Sequence, residues 1–171
     1  MKLFSPAKIN LLLNVLRKRK DGYHELQTVF ERIDLGDMIE LTPKKYGISL
    51  ACTGDSMSRP YLRVPNGPKN LAWRAAALLQ ERLRTKKGVH IRIQKRIPVS
   101  AGLGGGSSNA ASVLLGLNRL WKLRLTQERL LKLGAAIGSD VPFFILETSF
   151  GCGSALRSRP FPSLKRRILP K

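Results

Sequence analysis

The sequence predicts a single α+β domain, and three observations support this fold class. Its 171 residues suit one domain with a buried core. Short apolar stretches of strand character fill the first third of the chain, and amphipathic helical patterns follow residue 70. The predicted order is strands, helix, strand, loop, helix and helix. Because this order differs from the regular strand–helix alternation of doubly wound folds, it favours the α+β class.

The strand predictions come from apolar patterning. Residues 9–16 are apolar apart from Asn10 and Asn14, which predicts a strand buried on both faces. Further strand candidates lie at residues 26–33, 37–41, 48–52, 61–64 and 89–94.

The helix predictions rest on capping residues and apolar stripes. Asn70 is expected to cap a helix over residues 71–84. A second helix is expected over residues 108–121, with its small residues first. Thr126 is expected to cap a third helix that ends near residue 138.

The charge balance is strongly basic. Lys and Arg number 31 against 11 Asp and Glu, which gives a formal net charge of +20. Such a charge attracts anions of any kind, nucleic acids included. The charges are spread along the chain, so a basic surface exposed to solvent explains them as well as an anion-binding site does. We expect no nucleic-acid partner. Residues 156–171 hold no acids and show no periodicity, so we interpret them as a disordered basic tail after a domain of residues 1–155.

The cysteine spacing and the hydropathy of the chain bear on its cellular location. Cys52 and Cys152 lie far apart without metal-ligand spacing, which favours a reduced cytoplasmic protein over a disulfide. The amino terminus enters a strand pattern without the features of a signal peptide. No apolar run approaches the length of a membrane span. We therefore expect a cytoplasmic chain with no membrane partner, and the sequence leaves its oligomeric state open.

Residues 98–111 form the most informative stretch, which we call the glycine loop. It places four glycines and three serines between an alternating strand and an apolar-faced helix. Glycines let the backbone approach a ligand closely, and the following helix start presents free N–H groups, as in phosphate-binding loops. No Gly-Lys-Ser/Thr follows as in a Walker A loop, and Ser107 stands at the third glycine position of the dinucleotide fingerprint. The loop therefore predicts a nucleotide site of another kind.

Four stretches together resemble the GHMP kinase family. The glycine loop resembles the family's second motif, Pro-x3-Gly-Leu-Gly-Ser-Ser-Ala-Ala. Residues 6–11 are similar to the opening strand, and residues 21–28 are similar to a cytidine-recognition segment. Residues 138–144, Gly-Ser-Asp-Val-Pro-Phe-Phe, are similar to the catalytic aspartate turn. Their order and spacing match the family over residues 1–155.

The resemblance implies a fold and an activity. The fold is an amino-terminal ATP-binding domain similar to domain 2 of ribosomal protein S5, with a mixed or antiparallel sheet packed by helices. The activity is ATP-dependent phosphorylation of a cytidine-diphosphate-linked alcohol, a small-molecule precursor of isoprenoids, with ATP and Mg²⁺ as cofactors. Family members carry a second domain after the catalytic aspartate, whereas here the match fades after residue 155. We therefore expect that domain to be absent and the activity to be impaired by truncation or frame disruption.

The resemblance also implies the catalytic and substrate-binding residues. Asp140 would accept the proton of the substrate hydroxyl, and Lys8 would approach Asp140 and stabilise developing negative charge. From the sequence alone, Asp140 is more typical of a helix cap than of a catalytic base, and the alternative for Lys8 is a strand-edge residue. Asn10 is expected to place the alcohol, Tyr23 to stack on the cytosine, and His24 to hydrogen-bond its edge.

The nucleotide site is expected to use the glycine loop and the cap of the helix that follows residue 70. The expected residues are Asn70, Pro98, Gly102, Leu103, Gly104, Gly105, Gly106, Ser107, Ser108 and Asn109. Ser107 is also the expected metal ligand, through its hydroxyl. Ser100 stands where the family usually has glycine, so it adds a side chain at a tight point of the loop.

Two other functions stay open. A basic nucleic-acid-binding module would suit the charge, although no RNA-binding sequence motif is present. A GHMP kinase for another small alcohol, such as mevalonate or homoserine, would share the glycine loop but would not need Tyr23 and His24 to read cytosine.

Overall fold

A computed structural model of the chain describes residues 1–18, 24–54, 64–146, 148–154 and 157–160. These residues form six strands and four helices. In chain order they are β1 (Lys2–Lys18), β2 (His24–Lys44), β3 (Ile48–Thr53), α1 (Leu71–Leu83), β4 (Gly88–Gln94), α2 (Gly105–Leu120), α3 (Gln127–Ile137), α4 (Val141–Ile145), β5 (Phe150–Ser154) and β6 (Arg157–Pro160).

The strands form one mixed sheet around the long strand β2. β1 pairs antiparallel with one edge of β2 along most of its length. The other edge is shared by β4, which pairs with residues 38–44, and β5, which pairs with residues 27–31. β3 is parallel to β4, and β6 is antiparallel to β5. The predicted α+β class and the mixed or antiparallel sheet are confirmed.

The core lies between this sheet and the helices. The sheet contributes alternate residues such as Ile39 and Ile91, and α1 and α2 contribute leucines such as Leu79 and Leu114, all at most 1% exposed. Asn70 and Thr126 cap their helices as predicted. Within the described ranges, no helix combines the length and the apolar character that a membrane span requires.

Two predicted boundaries were wrong. β2 is continuous over the strands predicted at residues 26–33 and 37–41, because residues 34 and 35 bulge out of the pairing with β1 and no turn separates the parts. α2 begins at Gly105, three residues before its predicted start, because Gly104 takes a left-handed conformation (φ 70°) and opens the helix inside the glycine loop.

The two ends of the chain also differ from expectation. Residues 9–16 are not buried on both faces, since the four leucines of residues 11–16 are between 46% and 55% exposed. β1 pairs there with β2, and no described element covers either face of it. Residues 157–160 were placed in a disordered tail but form β6, because strand pairing at a sheet edge uses backbone groups that every sequence offers. Residues 61–63 and 161–171 lie outside the described part of the chain.

Candidate functional site

A cleft of about 340 Å³ opens between the glycine loop and the start of α1. Residues 98–107 form one wall, and Lys69, Asn70 and the buried Lys95 contribute to the rest. Of the residues expected to bind a nucleotide, all except Ser108 line this cleft. Its volume falls in the range of small-molecule sites.

The backbone conformation of the glycine loop leaves the first N–H groups of α2 available at the cleft. Gly102 and Gly104 have φ values of 74° and 70°, which side-chain-bearing residues adopt at a cost. Gly104 occupies the N-cap position of α2 and provides no side-chain cap. The N–H groups of the first turn therefore have no capping side chain as partner, which makes them donors for an anion in the cleft.

Lys8 is attached to this loop by its backbone and its side chain. Its N–H donates to the carbonyl oxygen of Leu103 at 3.0 Å. A Cβ on Gly104 would lie 3.0 Å from Lys8 Cγ and 3.1 Å from the ring of Phe144. The absence of a side chain at Gly104 thus lets the loop lie directly against Lys8 and α4.

Lys8 and Asp140 form the predicted pair. Lys8 Nζ lies 3.7 Å from Asp140 Oδ2, with the two side chains 7% and 31% exposed. Asp140 occupies the N-cap position of α4 but makes no side-chain capping bond, so its carboxylate is not used as a cap. Lys8 Nζ also lies 4.6 Å from the centre of the Phe30 ring, a cation–π contact that helps to hold a nearly buried ammonium.

The predicted substrate residues are placed unequally. Asn10 Oδ1 accepts a hydrogen bond from Lys8 Nζ, and Asn10 Nδ2 donates to Thr28 Oγ1 at 2.8 Å, so the amide is fixed beside the ammonium. Tyr23 lies outside the described residues. His24 begins β2 opposite Lys18, and its side chain is outside the described part.

Arg32 on β2 fixes α4, and the sequence analysis missed it. Its guanidinium donates to the carbonyl oxygens of Phe143 and Phe144 at 2.9 and 2.8 Å and lies over both rings. Both phenylalanines belong to the short helix α4, which begins beside Asp140. Arg32 therefore sets the position of the carboxylate from the far end of α4. A lone arginine in a strand gives no sequence signal for such a role.

A buried ion pair holds the other side of the loop. Asp37 on β2 is fully buried, and it pairs with Lys95 just after β4. The same carboxylate accepts from the N–H groups of Arg96 and Ile97 at 2.8 and 2.9 Å. Asn109 Nδ2 also donates to it at 2.9 Å. With four donors the carboxylate is fully satisfied, as a buried charge must be.

The network continues to the amino-terminal strand. Asn109 Nδ2 donates to Ser5 Oγ at 3.0 Å, and Ser5 Oγ donates to Ser108 Oγ at 2.8 Å. The side chains of Ser108 and Asn109 are thus hydrogen-bonded within the protein. Their observed role is to anchor the first turn of α2. The signal that could have found the network is Asp37 itself, a charge within an apolar strand pattern.

Asn70 has a structural task, and the thiol of Cys52 lies beside it. Asn70 Oδ1 accepts from the N–H of Ala72 at 2.9 Å and its Nδ2 donates to the carbonyl of Pro65 at 2.8 Å, so its amide is used at both ends. Burial raises the pKa of the nearby Cys52 thiol to about 11, although the positive charge of Lys95 opposes the shift. Cys52 is a free thiol, and its raised pKa disfavours the reactive thiolate near neutral pH.

Ser100 should carry strain that glycine would relieve. Its φ of 61° lies in the left-handed region, which costs a residue with a Cβ about 1 kcal/mol. We expect Ser100→Gly to raise the free energy of unfolding by up to about 1 kcal/mol in urea titrations. Ser100→Ala keeps the Cβ and should bring no gain. A loss of stability in the glycine variant would contradict this account.

Comparison with known proteins identifies a family model and relatives that the chain matches. Residues 70–148 match the family model described as the GHMP kinases N terminal domain. A protein of Exiguobacterium sibiricum named 4-diphosphocytidyl-2-C-methyl-D-erythritol kinase is 50% identical over 166 residues, which cover 97% of this chain and 54% of the relative. A Bacillus subtilis protein of the same name is 53% identical over 141 residues, covering 82% and 47%. The chain spans about half the length of the curated relatives it matches.

Solved structures give the same result. A crystal structure of 4-(cytidine 5'-diphospho)-2C-methyl-D-erythritol kinase has a TM-score of 0.76 and 40% identity, covering 94% of this chain and 55% of that one. The mevalonate kinase of Methanococcus jannaschii has a TM-score of 0.67 over 95% of this chain and 56% of its own, but its 17% identity shows the shared fold alone. Residues 70–148 thus match the GHMP kinase N-terminal domain, and the chain shares the fold of these kinases.

Proposed function

We propose that this chain binds ATP in the cleft and serves the transfer of its γ-phosphoryl group to the 2-hydroxyl of 4-diphosphocytidyl-2-C-methyl-D-erythritol. The observation that carries the proposal is the contact between the Lys8–Asp140 pair and Gly104, at the open start of α2. With this contact, Asp140 and Lys8 would serve the alcohol as base and cation beside the N–H donors for a triphosphate. Relatives about half identical in sequence bear the name of this kinase, which supports the substrate.

The cleft would hold the triphosphate by donors and charge. The first-turn N–H groups of α2 would donate to the phosphates, and Lys69 and Lys95 bring positive charge to the same cleft. The Ser107 hydroxyl lines the cleft close to Gly138, which suits a Mg²⁺ ligand. The described residues contain no acidic or histidine cluster for a metal, so Mg²⁺ would be held chiefly by phosphate oxygens. When bound, it would neutralise charge on the transferring phosphoryl group.

The transfer itself needs few protein groups. Asp140 would accept the proton of the 2-hydroxyl while the oxygen forms a bond to the γ-phosphorus. The bond from that phosphorus to the bridging oxygen breaks, and ADP leaves with the electron pair. The Lys8 ammonium, fixed by Asn10 and Phe30, would attract the acceptor oxygen as its negative charge grows. Tyr23 and His24 would select the cytosine, which mevalonate and homoserine lack.

The direct test offers the purified protein ATP, Mg²⁺ and one alcohol at a time. ADP release and the phosphorylated product, identified by mass spectrometry, should appear with 4-diphosphocytidyl-2-C-methyl-D-erythritol and not with mevalonate or homoserine. Absence of ATP binding would refute the cleft assignment. Phosphorylation of mevalonate or homoserine in its place would favour the alternative kinase.

Asp140→Asn should separate chemistry from binding. The amide cannot take a proton, so the turnover number should fall by about 10²–10⁴-fold, while ATP affinity measured by calorimetry stays within about twofold. Glu128→Gln is the matched control, since Glu128 is an exposed carboxylate of α3 that pairs with Lys132 away from the cleft. Equal turnover in both variants would remove Asp140 from the mechanism.

A further inference from the structure

The fold gathers charges that are scattered along the sequence. Three segments carry nine exposed lysines and arginines, namely residues 44–45 with two, 82–87 with four and 119–124 with three. None of these segments contains an acidic residue. We call this surface the basic end, and it includes the exposed ring of Tyr46 beside Lys45.

Contacts between the three segments show that they are neighbours. Lys87 Nζ donates to the carbonyl oxygen of Trp121 at 2.9 Å, which joins the second segment to the third. Lys44 pairs in register with Gly88, and a Cβ on Gly88 would meet the Tyr46 backbone at 2.5 Å, which joins the first to the second. The basic end is therefore one continuous surface.

The basic end lies away from the cleft. α1 and α2 begin at the cleft, and their carboxyl-terminal ends reach the basic end. A helix of 13 to 16 residues is about 20–24 Å long, so a ligand bound at the basic end does not touch the nucleotide loop.

Stabilisation of helix ends accounts for only part of this charge. Cations in the last helical turns, Arg82 and Arg119, interact favourably with the helix dipoles. Arg84, Lys122 and Arg124, however, have φ values of 48°, 56° and 56°, where glycine would cost less. Long cationic side chains thus occupy positions that the backbone alone would give to glycine.

We propose that the basic end binds single-stranded nucleic acid. Closely spaced arginines and lysines neutralise successive phosphates, and an exposed tyrosine ring offers a stacking surface for a base. An anionic membrane is the weaker fit, because Tyr46 is the single exposed large apolar side chain among the described residues of the basic end, and interfacial binding needs a wider apolar face. No nucleic-acid partner was predicted from the sequence, because spacing along the chain does not show which charges the fold brings together.

The test uses fluorescence anisotropy with a labelled oligouridylate of about 20 nucleotides, at several salt concentrations up to roughly 150 mM. The variant Arg84→Gly, Lys122→Gly, Arg124→Gly removes three charges and relieves three strained backbones, so it should fold. We expect affinity to fall at least about tenfold and the salt slope to decrease by about 2. The control variant Arg74→Ser, Arg92→Ser, Lys132→Ser removes equal charge elsewhere and should bind nearly as the parent does.

Three outcomes would overturn the proposal. Equal losses in both variants would mean attraction by net charge alone. Competition by excess ATP would place the oligonucleotide in the cleft. Tighter binding to phosphatidylserine-containing vesicles than to the oligonucleotide, lost in the glycine variant, would assign the surface to membranes.

Discussion

Gly104→Ala is expected to lower nucleotide affinity at least about tenfold, or about 1.4 kcal/mol in binding free energy. The added methyl would lie 3.0 Å from Lys8 Cγ and 3.1 Å from the Phe144 ring, at a φ of 70°. Neither neighbour can withdraw freely, because Lys8 is bonded to Leu103 and Phe144 is held by Arg32. The loop must therefore move, and with it the first-turn N–H groups of α2.

Gly102→Ala separates steric conflict from backbone strain. Gly102 has a φ of 74° in the same loop, but a Cβ there would meet no atom within 4 Å. Calorimetric titration with ATP should show a much smaller loss for this control, since it carries the conformational cost alone. Equal losses in the two variants would show that contact with Lys8 and Phe144 does not shape the site.

Asp37→Asn is expected to have the largest effect on stability. Removing the charge leaves Lys95 buried without its partner, which costs about 3–5 kcal/mol. For a chain of this length the melting temperature should fall by roughly 10 °C. The loop should also lose nucleotide affinity in the surviving folded fraction, because Asn109 and the backbone of residues 96–97 share the same carboxylate.

Asp34→Asn is the matched control on the same strand. Asp34 is exposed at the bulge of β2, so its replacement should change the free energy of unfolding by no more than about 0.5 kcal/mol. The measurement compares the melting temperatures of the two variants with that of the parent chain. A shift for Asp37→Asn as small as that of the control would mean that the buried pair contributes little.

Local chemistry allowed part of the fold to be predicted. Asn70 and Thr126 cap helices by accepting from N–H groups within three residues of themselves. Because this interaction depends only on neighbouring residues, both caps could be predicted correctly from the sequence. The continuity of β2 was missed, because a bulge is set by the partner strand rather than by a turn motif. The exposure of the leucines in residues 11–16 was missed for a related reason, since apolar pattern alone does not reveal which faces receive a covering element.

The candidate site was predicted where the resemblance supplied motifs. The contact of Lys8 with Asp140 follows from two such motifs, and the structure confirms the contact, while their catalytic roles stay predictions. Arg32 and Asp37 were not found, because their partners are backbone groups and side chains far away in sequence. Ser108 and Asn109 were both expected to bind the nucleotide, but only Asn109 lines the cleft, and both side chains make hydrogen bonds within the protein. A motif shows which residues are present and not which partner each side chain finds.

The bond between Ser5 and Ser108 also bears on how the domain folds. It joins residues 103 apart in sequence, and Lys8 meets Asp140 across a still longer stretch. Closing loops of this length is entropically costly and slow, so the cleft is expected to form late in folding, after local helices and hairpins. A nucleotide would then bind only the folded domain, because partly folded forms lack the cleft. ATP should accordingly act as a folding ligand, raising the stability of the whole domain with the logarithm of its concentration.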